Sequence, residues 1–352
     1  MIRRLLEIDH DRLDLRLAGY AVVGLVVALA FEALVGVGAL QAGVAAVVVG
    51  VVGGTGDLRT RMVHMGAVTL IGGAFGFFSY ISAETAWQAA VVLGAVTYLT
   101  GLAYGLGPEV GRAGYLLLLW TLAVLIGEAH GGDPPATAGA FLVGGVAAMV
   151  VVGIAAVVRH GPADPDPPAE GSEEVGLRPA GPGLGALVRS DLGAWSLIRA
   201  VLTVIAVFIG YGLTTGDLDP FWTPMALLIV FQPDLGPTVF KAAQRGIGTL
   251  VGAATAAALT DLVDSGAPIV VIMLIALFGA VAFYSANYTI YAFFITNTVL
   301  LYYWLATDHA ASEPAIRLAG TVIGIALAFI GMAVVGVVGR ARHRRRRLEG
   351  TG

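Results

Sequence analysis

The chain has no cysteine, and that absence removes disulfides, thiolate metal sites and cysteine nucleophiles together. Charge is scarce as well: 12% of the 352 residues are charged, while 57% are hydrophobic. Histidine occurs at His10, His64, His130, His160, His309 and His343, never as a pair one helical turn apart, so no metal site is expected. A carboxylate cluster, a metal constellation and an activated nucleophile are all missing, which argues against an enzyme and implies no cofactor. The glycine-rich turns Gly53-Gly54-Thr55-Gly56 and Gly105-Leu106-Gly107 lack the strand-loop-helix context of a phosphate loop.

What is there instead is apolar sequence in long runs. About 20 such residues make a helix that crosses a hydrocarbon core of roughly 30 Å. Spans are predicted at 17–35, 38–54, 62–82, 86–106, 112–128 and 135–158, and again at 194–213, 220–233, 239–260, 267–286, 289–306 and 314–338. The expected fold is all-α: a polytopic membrane protein of about twelve transmembrane helices in two six-helix halves. Residues 1–159 form the first half and 189–339 the second, with a linker at 160–188 and a basic tail at 340–352. The linker holds Pro162, Asp164, Pro165, Asp166, Pro167, Pro168, Glu170, Glu173 and Glu174 among glycines. Such a run cannot bury enough apolar surface to fold and is expected to be disordered.

Basic residues fall on alternate connectors. Arg3, Arg4, Arg12, Arg16, Arg59, Arg61, Arg112, Arg159, Lys241, Arg245 and the tail lie on one side, while Glu84, Glu128, Asp133, Asp217, Asp219, Asp261, Asp264 and Asp308 lie on the other. The positive-inside rule then puts both ends in the cytoplasm, in the cytoplasmic (inner) membrane. Residues 1–16 read as an amphipathic lead-in rather than a cleaved signal. Arg344 to Arg347 reads as an anchor on anionic lipid, so the expected partner is the bilayer and not nucleic acid.

The two halves align at a spacing of 180 residues, through Gly66 with Gly246, Thr69 with Thr249, Gly72 with Gly252, Tyr104 with Tyr284, Pro134 with Pro314 and Gly144 with Gly324. Duplication explains these matches. A shorter echo lies inside the second half, where Arg245-x-x-Gly248-Thr249-x-x-Gly252 recurs as Arg317-x-x-Gly320-Thr321-x-x-Gly324. Tandem three-span units alternate in direction, so each half reads as an inverted 3+3 repeat. The two arginines are expected near opposite faces of the membrane. Their counterparts in the first half are Met65 and Thr137.

Several residues are candidates for a substrate path, each with a plainer alternative. Arg245 and Arg317 would each cost roughly 2.5–3.5 kcal/mol to bury, and an arginine fork suits a carboxylate. Arg245 could equally snorkel to the headgroups. Phe221 and Trp222, beside Pro224, open a short span closed by Gln232-Pro233, which suggests a broken helix lining a cavity; an interfacial belt explains the tryptophan as well. Asn297 lies mid-span and suits substrate contact or an interhelical hydrogen bond. Glu32 and Asp234 are the carboxylates best placed for proton coupling, or are solvated helix ends. Gly248, Thr249, Gly252, Gly320, Thr321 and Gly324 read as helix-packing positions.

The Phe221-Trp222-x-Pro224 entry, the apolar run to Gln232-Pro233 and the following Gln244-Arg245-x-x-Gly-Thr-x-x-Gly resemble the membrane domain of the fusaric acid resistance-like family. It is distantly similar to plant malate-type anion channels. The resemblance implies a transporter exporting aromatic or other organic acid anions. A passive anion channel, or a membrane scaffold subunit with no pathway, are the alternatives; a homo-oligomer is compatible with each.

Overall fold

The computed structural model describes residues 58–81, 85–128, 134–160, 184–214, 220–232, 235–263, 266–284, 286–306 and 313–349, with scattered positions between Leu5 and Gly50. The first two expected spans lie largely outside the described residues, and Glu32, Asp234 and residues 161–183 of the linker lie wholly outside them. Among the described residues every element is a helix: α1 (Leu58–Ile81), α2 (Ala86–Ala103) running into a 3-10 turn (Tyr104–Leu106), α3 (Pro108–Glu128), α4 (Pro134–His160), α5 (Leu184–Arg189), α6 (Asp191–Leu213), α7 (Trp222–Val230), α8 (Leu235–Leu262), α9 (Gly266–Phe283), α10 (Tyr288–Ala306) and α11 (Glu313–Glu349).

Among the described residues, five segments are long and apolar enough to cross a membrane: Leu58–Ile81, Ala86–Leu106, Asp191–Leu213, Gly266–Phe283 and Pro314–Ala341. Their outer faces carry Leu70, Val91, Ile275 and Val322, each more than half exposed, while threonines and arginines are buried. Water would not tolerate that inversion, but lipid does. The protein is an all-helical, multi-pass membrane protein.

The chain divides into two compact units, Gly24–Leu197 and Met1–Val23 with Ile198–Gly352. In the first, α1 buries Met65, Val68, Thr69, Gly72, Gly73, Gly76 and Ser79, a stripe recurring every three or four residues as one helix face requires. Phe141 of α4 fills the space beside Gly72, and Trp120 of α3 packs against the tilted Phe141 ring with ring centres 4.5 Å apart. The Trp120 indole N–H donates to Gly72 O at 3.0 Å, so the one polar atom of that ring is satisfied. Between α2 and α3 the chain turns at Gly107, whose φ of 135° a side chain would resist. Helix α5 starts before the expected end of the linker because Leu187 is buried against Gly105.

In the second unit, α8 packs along α10, and α11 along α7. Asn287 starts α10: its Oδ1 accepts from Ile290 N–H, and its amide donates to Leu5 O and Glu7 O at 3.0 and 2.8 Å. The Asp9 N–H reaches Ala286 O at 3.1 Å, so the N-terminal segment is tied to that turn.

Candidate functional site

Helix α7 is nine residues long, about 14 Å at 1.5 Å per residue, and so reaches only half-way across a bilayer. This is shorter than the span expected at 220–233. Pro224 sits in the first turn, where its missing N–H costs nothing. The helix ends at Phe231, whose ψ of 92° breaks the ladder. Gln232 then bonds back, its side-chain amide to Ile229 O at 2.9 Å and its backbone N–H to Thr238 Oγ1 at 3.1 Å.

A helix ending inside a membrane leaves carbonyls that water cannot satisfy. Arg199, on α6, donates to Leu228 O at 2.8 Å and so places a cation at the negative end of α7. Arg199 is not among the residues that the sequence singles out. It carries no motif, and its signal was only its position eight residues into an apolar helix.

The other end of α7 meets two more arginines. Arg317 of α11 lies over the Trp222 ring with 4.2 Å between Cζ and the ring centre, and donates to Thr296 Oγ1 of α10 at 3.3 Å. Arg245 of α8 donates to Met225 Sδ at 3.5 Å, and its Nε is buried without a hydrogen-bond partner. Trp222 and Met225 are one turn apart on α7, so the two guanidinium groups converge on one face of it. Both charges also act on the phenols of Tyr288 and Tyr291.

The two guanidinium groups therefore meet beside one short helix instead of standing a bilayer's thickness apart. Thr296, the acceptor of Arg317, abuts Gly252, and Gly252 is seven residues from Arg245, a rise of roughly 10 Å. Neither snorkels: Arg199, Arg245 and Arg317 are 2%, 2% and 1% exposed, and they are the only charged side chains buried among the described residues. Trp222 is likewise buried, at 2%, rather than set in an interfacial belt.

The remaining candidates separate. Phe221 is buried but packs edge-to-face on Tyr211 of α6, with ring centres 5.8 Å apart. Asn297 donates to Phe293 O within its own helix at 2.9 Å, which leaves its Oδ1 buried without a donor. The hydroxyls of Thr249 and Thr289 are also buried without partners, whereas Thr321 bonds back to Arg317 O at 2.8 Å. These orphaned atoms border the α8–α10 seam beside Arg245. Buried polar groups left unpaired mark a place that something else completes.

All four motif glycines are points of backbone contact. A Cβ at Gly248 would lie 2.6 Å from Ala292 Cβ, 2.6 Å from Thr289 O and 3.0 Å from Phe293 N. A Cβ at Gly324 would lie 2.7 Å from Ala226 Cβ, 2.7 Å from Thr223 O and 2.8 Å from Leu227 N. The same three kinds of atom recur because Trp222-Thr223-x-x-Ala226 of α7 echoes Tyr288-Thr289-x-x-Ala292 of α10. Gly248 thus corresponds to Gly324, not to Gly320. The echo found in the sequence is displaced by one helical turn from the one that packs.

Residues 200–331 match the model of the family described as fusaric acid resistance protein-like, which bears out the resemblance over that part of the chain. No curated protein and no solved structure matches the chain.

Proposed function

We propose, from the family match over residues 200–331, that the chain moves an organic anion, an aromatic or other carboxylic acid, outward across the cytoplasmic membrane. The observation that carries this reading is the convergence of Arg245 and Arg317 on the aromatic end of α7. An arginine fork binds a carboxylate through two parallel charge-assisted hydrogen bonds, and the Trp222, Tyr288 and Tyr291 rings suit an aromatic body. Two buried cations, Arg245 and Arg317, at roughly 2.5–3.5 kcal/mol each are a standing cost that anion transport would explain.

The wider assembly proposed is twelve spans with both ends in the cytoplasm, each half an inverted repeat, with the lipid bilayer and the anion as partners and a homo-oligomer compatible with it. Glu32 and Asp234 remain the candidates for proton coupling, which would distinguish an exporter from a passive channel. Purified protein in liposomes, with labelled benzoate and an imposed pH gradient, tests the reading. Flux that falls about tenfold or more in Arg317→Ala supports it. No flux from well-folded protein favours the scaffold alternative, and flux indifferent to the gradient favours a channel.

A further inference from the structure

The one-turn displacement gives Arg317 an unexpected counterpart. With Gly248 matched to Gly324, the residue on α8 that takes the place of Arg317 is Lys241, and Arg245 matches Thr321. The contacts agree. Lys241 Nζ lies 3.8 Å from the centre of the Tyr288 ring, as Arg317 Cζ lies 4.2 Å from that of Trp222. Tyr288 occupies on α10 the place that Trp222 occupies on α7. Each cation–aromatic pair therefore joins one three-helix repeat to the other, and the same joint occurs twice.

Lys241 is also the only lysine in the chain, beside nineteen arginines. It is half-buried, and Tyr288 packs in turn against the tilted ring of Tyr291 at 5.3 Å, which itself meets Tyr284 edge-on at 5.3 Å. A cation over an aromatic face, walled by further rings, offers a carboxylate its charge and an arene its stacking surface at once.

We infer that Lys241 and Tyr288 form a second station for an aromatic carboxylate, the repeat-related equivalent of Arg317 over Trp222, with Arg245 between the two. Helices α8 and α11 enter the unit from opposite ends: Gly246 approaches Ile325, while Arg317 lies level with Gly252. Their cations accordingly sit toward opposite ends of the path. The inference rests on the transport reading for its substrate class. It adds that the path has two matched ends rather than one central trap.

A lone lysine makes the test direct. The full chain in lipid nanodiscs is treated with an amine-acylating ester, and Lys241 modification is followed by peptide mass, apart from the N-terminal amine. Benzoate is expected to slow acylation about fivefold. Acetate, which has no ring, protects less. Protection survives in Arg317→Gln and in Tyr288→Phe, which keeps an aromatic face, and is lost in Tyr288→Leu, judged on variants that melt with the parent. Acylation indifferent to benzoate, or an amine that never reacts, overturns the station. Benzoate flux is measured on the same protein in liposomes: flux without protection removes the station and spares the transport reading, and protection without flux does the reverse.

Discussion

Helices α1 and α8 bury the same face and fill it differently. On α1 the stripe is Met65, Val68, Thr69, Gly72; on α8 the matching positions are Arg245, Gly248, Thr249, Gly252. The α1 face is finished: Met65 is fully buried in an apolar cluster with Trp120 and Phe141, and the Thr69 hydroxyl donates to Met65 O at 2.7 Å. On α8 the cation replaces the thioether, and the Thr249 hydroxyl has no partner. The α1 face is thus closed with hydrocarbon, while the α8 face keeps unsatisfied polar atoms. Packing alone favours the first solution, because replacing buried ions by apolar groups is often stabilising by roughly 1–4 kcal/mol. Retention of the second calls for a use.

Exchanging the two residues breaks the comparison most severely. Met65→Arg puts an uncompensated cation into the finished core and is expected to lower stability by about 3 kcal/mol or more, read as a fall in melting temperature in detergent. Close behind comes Gly324→Leu, whose side chain would collide with Thr223 O and Leu227 N, an overpacking cost of about 1–3 kcal/mol or more; Gly66→Ala, which meets nothing within 4 Å, is the neutral control. The reciprocal exchange, Arg245→Met, is expected to hold or raise the melting temperature while benzoate flux drops about tenfold or more. Were both to fall together, Arg245 would be a structural strut and the contrast with Met65 would lose its meaning.

Smaller effects sharpen the same contrast. Arg199→Leu strips the cap from Leu228 O and should cost about 1.5–3 kcal/mol, with faster amide exchange confined to α7 and its end. Asn287→Ala removes the start of α10 and the ties to Leu5 and Glu7, at about 1 kcal/mol. Limited proteolysis should then cut first in the N-terminal segment.

Much of this was legible in the residues. The helices follow from the length of the apolar runs, and the break in α7 follows from Pro224 and the Gln232-Pro233 stop. The register of the inner repeat was not legible. Glycines spaced by four on a helix present the same face after a slide of one turn, so Arg245 and Arg317 aligned by motif although Lys241 and Arg317 align by contact. The meeting of the arginines was hidden for a related reason. Sequence locates the Cα atoms, while a guanidinium stands several ångströms away along its own side chain. Arg199 was hidden because its partner is a backbone carbonyl, which no residue name announces.

The glycine seams carry a consequence for motion. Helix α8 is clasped to α10 and α11 to α7, and each clasp brings backbone against backbone. Neither α6–α8 nor α9–α11 can swing as a block without prying both clasps open. Any change of access would instead slide one clasped pair past the other, with the Arg245–Met225 and Arg317–Thr296 contacts, which cross from pair to pair, acting as the bearing surface between them.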